Sequence, residues 1–201
     1  MKPGVMLLDY GVGNLHSLAK ALELGGATVR ITSDWHDALD ADALVLPGVG
    51  AFTAAVESLP EDCTPIRRAL ADGLPCLGIC LGMQLLFEGS DEGQGSGIGY
   101  IAGQVRRLNA PVVPHMGWND VEVSEDPLFA GLGDGLPVYY AHSYRCDPTD
   151  EASVIGWSGY GNTRFAAAVR RGRTWGVQFH PEKSSRPGLQ LLANFLQMLR
   201  G

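Results

Sequence analysis

A short apolar run that ends in the pattern glycine-x-cysteine-x-glycine constrains this chain more than any other feature. Residues 76–79 are apolar or small, Cys80 follows them, and Gly78 and Gly82 flank the cysteine. The pattern predicts a sharp turn from a buried strand into a helix, because small residues on both sides allow the backbone to turn tightly. Unpaired backbone N–H groups at the start of a helix favour a thiolate. We therefore expect Cys80 to be a nucleophile, with a buried cysteine at a tight turn as the alternative.

The first half of the chain alternates predicted strands with predicted helices. The strands are expected at 5–8, 28–32, 43–46 and 76–79, and the helices at 14–24, 51–58 and 65–71, followed by the helix after Cys80. This alternation is typical of a parallel sheet that is covered by helices on both faces. It predicts a three-layer α/β fold with an open sheet.

The second half changes to shorter strands and closes with one amphipathic helix. Strands are expected at 104–108, 120–123, 138–141, 153–157, 165–170 and 175–179, and the helix at 187–199. The helix carries leucines at helical spacing, which predicts that it packs on the sheet. We expect this half to form a mixed or antiparallel extension of the parallel core.

A histidine and a glutamate two positions apart follow the last predicted strand. If His180, Pro181 and Glu182 form an extended segment, the imidazole and the carboxylate point to the same side. A nucleophile, a base and an acid that orients the base form the general arrangement of covalent acyl transfer. His142 is the other candidate base, but no acidic residue stands two positions away to orient it. His115 is expected in a loop or an interface.

Composition excludes several classes of function. The chain has 201 residues, 45% of them hydrophobic, and a net charge of −7, so it fits a single domain over 1–201 and carries no basic stripe for nucleic acid. No segment approaches the roughly 20 apolar residues of a membrane span, and the N-terminus does not look like a secretory signal. We predict a cytoplasmic protein. The four cysteines lack disulfide-framework and metal-ligand spacings, which predicts reduced thiols, no metal and no cofactor.

At Cys80, His180 and Glu182 the sequence resembles the class I (triad) glutamine amidotransferases, whose catalytic cysteine, histidine and glutamate fall on these residues. Within that class it is similar to the glutaminase subunits of imidazole glycerol phosphate synthase, the HisH family. This finer resemblance is carried by the segments D-Y-G-V-G-N-L at 9–15, P-G-V-G-A-F at 47–52 and P-H-M-G-W-N at 114–119, with H-S-Y at 142–144. Together the segments span nearly the whole chain.

The resemblance implies a flavodoxin-like fold and a glutaminase that forms a thioester between L-glutamine and Cys80. By resemblance, the amides of Leu81 and of Val49 or Gly50 form the oxyanion hole. The glycines of 47–50 would allow backbone N–H groups to approach an oxyanion closely, and a simple turn after a strand is the alternative for this loop. By resemblance, the glutamine substrate is held by Gly50, Gln84, Glu92, Ser143 and Tyr144. Glu92 departs from the family pattern in its neighbour, which is Asp91 where a second glutamate is more usual.

The resemblance also implies a partner. In the family, the released ammonia passes to a cyclase subunit of the HisF type, a (β/α)8 barrel that forms a heterodimer with the glutaminase and makes imidazole glycerol phosphate for histidine biosynthesis. The positions that lie at or near the docking face in the family are Asn14, Trp118, Tyr139 and Lys183. Ordinary core burial is the alternative for Trp118 and Tyr139.

Two other classes of function are compatible with parts of the sequence. Gly11 and Gly13 after the first strand resemble the start of a dinucleotide-binding turn, but His16 stands where the third glycine of that fingerprint belongs. Alternatively, Cys80 could serve binding or redox chemistry on the same fold. That alternative leaves Gln84, Ser143 and the segment from His180 to Glu182 without a role.

Overall fold

The structure, a computed structural model, describes residues 2–11 and 15–200. Its first half alternates strands and helices as the sequence predicts. The strands are β1 (Gly4–Leu8), β2 (Thr28–Thr32), β3 (Ala43–Leu46) and β4 (Cys76–Ile79). The helices are α1 (Leu15–Leu24), α2 (Trp35–Leu39), α3 (Phe52–Glu57), α4 (Thr64–Ala71) and α5 (Leu81–Leu85).

The second half contains eight further strands and the closing helix. The strands are β5 (Gly89–Ser90), β6 (Gly103–Arg107), β7 (His115–Val123), β8 (Leu136–His142), β9 (Tyr144–Pro148), β10 (Val154–Tyr160), β11 (Thr163–Arg171) and β12 (Thr174–Val177). Helix α6 spans Ser185–Gln197, and short 3-10 helices lie at Pro127–Phe129, Glu151–Ser153 and Pro181–Lys183.

Nine strands form one sheet in the order β2-β1-β3-β4-β12-β11-β10-β7-β8. The first five are parallel, and β12, β11, β10, β7 and β8 then pair antiparallel with one another. The parallel part follows the flavodoxin-like order, with β12 as its fifth strand. The predicted α/β class, with a parallel core and an antiparallel extension, is confirmed. Strands β5, β6 and β9 form a separate small sheet that the sequence does not predict.

The parallel strands are buried on both faces, as helix-covered sheets require. All residues of β3, β4 and β12 are buried, and their side chains alternate between two hydrophobic clusters. One cluster packs against α1 and α6 and contains Leu22 and Phe195. The other packs against α3 and α4 and contains Phe52 and Ile66. The two helix layers therefore fix the strand ends from which the site is built.

The segment around His115 is a strand and not the predicted loop. Strand β7 begins at His115 and pairs with β8 from His115 opposite His142 to Val121 opposite Leu136. The prediction of a strand at 120–123 covered only its second half. The sequence signal is weak because Gly117 adopts a φ of +129° and the large side chains of Met116 and Trp118 face solvent, so the usual pattern of a half-buried strand is missing.

The turn around Cys80 is closed by glycines that other backbone atoms approach closely. A Cβ atom on Gly82 would lie 2.0 Å from the carbonyl oxygen of Leu46 at the end of β3. A Cβ atom on Gly78 would lie 2.7 Å from Gly82 itself. Only glycine fits at these positions, so the predicted reason for the pattern is confirmed.

We predict that Gly82→Ala lowers the free energy of unfolding by about 1–3 kcal/mol, because the new methyl group must push α5 away from β3. Chemical denaturation of the two chains measures the difference. Gly133→Ala is the matched control, since a Cβ atom there would meet nothing within 4 Å. Equal stability of Gly82→Ala and the unchanged chain would contradict the packing argument.

Candidate active site

Cys80 joins the end of β4 to the start of α5 in a strained backbone conformation. Its φ is 48° and its ψ is −102°, a region that residues with a side chain rarely occupy. The backbone N–H of Cys80 donates to the carbonyl of Val177 at 2.7 Å, which continues the pairing of β4 with β12. The strained turn thus holds the Cys80 side chain just beyond the carboxyl ends of the neighbouring strands β3, β4 and β12.

A cleft of about 270 Å³ lies at these strand ends, and most of the predicted site residues line it. The predicted residues that line the cleft are Val49, Gly50, Cys80, Leu81, Gln84, Glu92, Ser143, Tyr144 and His180. Further contributions come from His142, the other candidate base, and from the unpredicted residues Pro114, Met116 and Ala141, all on or beside β7 and β8. The parallel core and the antiparallel extension therefore build the site together.

His180 and Glu182 are paired, as the sequence predicts, but not through an extended segment. The two residues are connected by a hydrogen bond of 2.9 Å between His180 Nδ1 and Glu182 Oε1. Residues Pro181–Lys183 form a 3-10 helix, so the prediction that Pro181 keeps the segment extended is wrong. Proline is well tolerated in a first helical turn, because its fixed φ suits the helix and its missing N–H would have no partner there.

The environment of His180 favours its protonated form. Burial lowers its pKa, but the hydrogen bonds with Cys80 and Glu182 and the negative charges of these groups raise the pKa more, to about 10. His180 is 1% exposed and the Glu182 side chain 9% exposed, so the pair is shielded from water. A protonated imidazole beside the sulfur can donate its proton to a group that leaves from the cleft. The arrangement can therefore supply a nucleophile and a proton donor in one place.

Two of the other predicted residues that line the cleft, Glu92 and Gln84, are fixed by hydrogen bonds to the backbone. Glu92 Oε2 accepts a hydrogen bond of 3.0 Å from the backbone N–H of Phe52, just after the glycine-containing loop at 47–50. The neighbouring Asp91 turns away and pairs with Arg106 at 2.9 Å. Gln84, one turn along α5 from Cys80, donates to the carbonyl of Tyr144 at 3.3 Å.

One residue in contact with the sulfur was missed by the sequence analysis. The side-chain amide of Gln178 donates from Nε2 to Cys80 Sγ at 3.4 Å and is completely buried. The sequence predicts Gln178 only as a member of a strand at 175–179, whereas β12 ends at Val177. A polar side chain among buried apolar neighbours is the signal that could have identified it, because buried amides need partners.

The other three cysteines do not line the cleft. Cys76 and Cys146 are fully buried, and burial raises the pKa of both thiols. Cys63 lies near the surface at the start of α4, and partial burial raises its pKa too. All four cysteines are free thiols. Within residues 2–11 and 15–200, no group of acidic, histidine and cysteine side chains could hold a metal ion.

The predicted docking residues form a partly exposed aromatic patch next to the histidine. Trp118 is 55% exposed and contacts the half-buried ring of Tyr139, with ring centroids 6.1 Å apart. The carbonyl of Tyr139 accepts a hydrogen bond from the backbone N–H of His180 at 2.9 Å. Lys183 is exposed on the adjacent 3-10 helix. Asn14, the fourth predicted residue, lies outside the described residues.

Comparison with known proteins assigns the family. The model of the glutamine amidotransferase class-I family matches residues 6–199. The chain belongs to the class-I glutamine amidotransferases. The predicted enzyme class, a glutaminase, is therefore confirmed.

Relatives identify the branch of this family. The chain is 44% identical to the imidazole glycerol phosphate synthase subunit HisH of Synechococcus elongatus, over 96% of this chain and 93% of the relative. It is 45% identical to the subunit of the same name from Moorella thermoacetica, over 100% of this chain and 97% of the relative. A crystal structure of a glutamine amidotransferase shares the fold, with a TM-score of 0.77 and 21% identity over 98% of this chain and 99% of the other. The amidotransferase thus falls among the HisH subunits.

In the part of the chain that the structure describes, no helix is long and apolar enough to cross a membrane.

We predict that Glu182→Gln changes how the stability of the amidotransferase depends on pH. Because the fold raises the pKa of His180 from 6.5 to about 10, the bound proton stabilises the fold fully below about pH 6.5, and this stabilisation is lost as the pH rises towards 10. Glu182→Gln removes one interaction that raises the pKa. The free energy of unfolding should therefore fall less steeply between about pH 7 and pH 9 in Glu182→Gln, by at most about 1.4 kcal/mol per pH unit.

Denaturant unfolding at several pH values measures this slope. Glu125→Gln is the control, because Glu125 is exposed and far along the chain from His180. The buried thiol of Cys76 and the buried hydroxyl of Tyr140 do not interact with His180, so they contribute the same slope to all three chains and cancel in the comparison. Identical slopes in Glu182→Gln and Glu125→Gln would contradict a raised pKa at His180.

Proposed function

We propose that this chain hydrolyses L-glutamine to glutamate and ammonia as the glutaminase subunit of an imidazole glycerol phosphate synthase, with Cys80, His180 and Glu182 as its catalytic triad. The observation that carries the proposal is the buried His180–Glu182 pair beside the Cys80 sulfur in the cleft. In this proposal, residues 1–201 act as a single glutaminase domain.

The first half of the reaction transfers the glutamyl group to the sulfur. The Cys80 thiolate attacks the side-chain carbonyl carbon of glutamine, and the carbonyl oxygen becomes negative. The backbone N–H groups of Leu81 and of Val49 or Gly50 stabilise this oxyanion. His180 then donates its proton to the amide nitrogen, the carbon–nitrogen bond breaks, and ammonia leaves a glutamyl thioester on Cys80.

The second half returns the enzyme to its starting state. Because Nδ1 of His180 is bonded to Glu182, the other ring nitrogen, Nε2, is the one that exchanges protons at the cleft. The neutral Nε2 takes a proton from water, and the resulting hydroxide attacks the thioester carbon. The carbon–sulfur bond breaks, glutamate leaves, and Cys80 is again a thiolate beside a protonated His180.

Residues around the cleft provide complementary groups for free glutamine. Glu92 supplies a carboxylate for the α-ammonium group, and its bond to the Phe52 N–H holds it at the rim. The Asp91–Arg106 pair removes the neighbouring acid from the cleft, which supports Glu92 in this role in spite of the altered family pattern. Gly50, Gln84, Ser143 and Tyr144 complete the proposed binding site for glutamine.

We infer that the ammonia is used by a second polypeptide, a cyclase subunit of the HisF type with a (β/α)8 barrel fold, in the cytoplasm. The patch formed by Trp118, Tyr139 and Lys183 supports this docking, because an exposed tryptophan next to a tyrosine is a typical interface anchor. The patch is connected to the triad by the hydrogen bond between Tyr139 and His180. Docking there would place the partner directly beside the catalytic base.

We predict that Cys80→Ala abolishes glutamine hydrolysis but leaves folding and partner binding intact, because the change removes the nucleophile and little buried volume. The complex should still form the cyclase product from added ammonium salts. Cys63→Ala is the matched control and should keep full activity. Glutamine-dependent activity in Cys80→Ala would refute the mechanism, and a failure of ammonium to rescue it would assign Cys80 another role.

We also predict that the isolated subunit is a poor glutaminase and is activated by the cyclase with its acceptor bound. Gly50 has a φ of +131°, which only glycine adopts readily, so the peptide that joins Val49 to Gly50 can be reoriented there. Gly48 is less free than its sequence suggests, because a Cβ atom on it would lie 2.4 Å from the Ile79 carbonyl. Reorientation at Gly50 alone can add or remove an oxyanion donor.

Loss of one oxyanion donor typically lowers turnover by about 100- to 1000-fold, which sets the expected size of the activation. Glutamine turnover is measured for the subunit, for the complex, and for the complex with acceptor. Gly50→Ala should weaken the activation, whereas Gly133→Ala should not affect it. Equal turnover in all three states would rule out the switch and leave the Cys80 chemistry unaffected.

A further inference from the structure

Gln178 presents a fully buried amide to the sulfur of Cys80. Its Nε2 atom lies 3.4 Å from Cys80 Sγ, and an amide nitrogen can only donate a hydrogen bond. The sulfur also lies 3.9 Å from the backbone carbonyl of Ala141, which can accept a hydrogen bond from the thiol but cannot stabilise a thiolate. When the proton leaves the sulfur, Gln178 is therefore a donor that remains.

The orientation of the Gln178 amide is determined by its other neighbour. Gln84 uses Nε2 to donate to the carbonyl of Tyr144 at 3.3 Å and to Gln178 Oε1 at 3.4 Å. If the Gln178 amide were flipped, its nitrogen would face the nitrogen of Gln84, and two donors would meet without an acceptor. The Gln178 oxygen must face Gln84, so its nitrogen must face Cys80.

The carbonyl of Tyr144, which anchors this chain of hydrogen bonds, is held from a second side. His142 Nδ1 donates to it at 2.8 Å, and His115 Nδ1 contacts His142 Nε2 at 3.0 Å. Because the carbonyl only accepts, His142 must carry its proton on Nδ1, and His115 must then donate from Nδ1 to His142. Burial lowers the pKa of both histidines to about 4, which keeps them neutral in this arrangement.

We propose that Gln178 is a further catalytic residue, which stabilises the Cys80 thiolate by donating Nε2–H to the sulfur and aims the sulfur into the cleft. Gln84 and the Tyr144 carbonyl are the positioning groups that fix its amide. The inference rests on the proposed role of Cys80 as nucleophile. Gln178, which follows the end of β12, is thus a neutral donor to the sulfur in addition to the charged donor His180.

The test is the pH dependence of Cys80 alkylation by iodoacetamide in the full chain, followed at each cysteine by peptide mass spectrometry. Gln178→Met has nearly the same shape and no donor. Since a hydrogen bond to an ionised group is worth about one to two orders of magnitude in its population, the midpoint of the alkylation profile should move by about one to two pH units, and the more basic thiolate should react somewhat faster once it is fully ionised. The rise of the rate with pH should move to higher pH, and the alkaline plateau should not fall.

If Gln178 donates to the thiolate, its loss moves the whole profile of alkylation rate against pH along the pH axis. If Gln178 has only a structural role, its loss lowers the alkaline plateau or has no effect. Gln197→Met makes the same substitution at an exposed glutamine of α6 and should leave the profile unchanged. Gln178→Asn covers the case in which Gln178→Met does not fold, because it keeps an amide that is one methylene too short to reach the sulfur. Its profile must move in the same direction.

Two results would overturn the proposal, and they are distinguishable. An unchanged profile in the folded Gln178 variants would show that the amide does not stabilise the thiolate, while Cys80 would remain the nucleophile. If Cys80 of the unchanged chain reacts no faster than Cys63, the proposed function fails, and the role of Gln178 fails with it.

Discussion

The parallel pairing of β4 with β12 is the contact on which the active site depends. Its register runs from Cys76 opposite Thr174 to Ile79 opposite Val177, and the Cys80 N–H extends it by one more bond to Val177. The residues that follow on the two strands are Cys80 on one side and Gln178 to His180 on the other. A slip of one residue would turn every side chain of β12 to the opposite face and separate the histidine from the sulfur. The site is thus a consequence of strand register between segments almost a hundred residues apart.

The packing of α5 compensates for the strained backbone of Cys80. The backbone of Cys80 occupies a conformation that typically costs about 1–3 kcal/mol, and such strain persists only where the surroundings determine it completely. Here every residue of α5 is buried, and Gly82 lies directly against the end of β3. The elbow has no room to relax, because any outward movement of α5 would break its contacts with β3 and β4. Rigidity of the core and exposure of the sulfur to the cleft therefore have the same structural origin.

Sequence reasoning succeeded where local chemistry decides the structure and failed where partners are distant in the chain. The parallel strands and the elbow could be predicted, because apolar runs and glycines carry local information. The His180–Glu182 pair forms as expected, but through a 3-10 turn and not through the extended segment on which the prediction was based. The first half of β7 could not be predicted, because its large apolar side chains face solvent. Strand β9 could not, because it has only five residues and its partner strand β6 is distant in the chain. The role of Gln178 depends on Gln84, a neighbour 94 positions away, and no pattern around it indicates that contact.

Two histidines face the same cleft and carry opposite shifts, and their partners explain the difference. Burial alone would lower the pKa of both His180 and His142. His180 has the Glu182 carboxylate and the Cys80 sulfur as neighbours, which outweigh burial, whereas His142 has a carbonyl and the ring of His115, and the charge of His180 lowers its pKa further. A proton in the cleft therefore belongs to His180, and His142 stays neutral. The sequence already shows that no acidic residue stands two positions from His142. His142 can therefore bind the Tyr144 carbonyl without competing for the proton that the reaction uses.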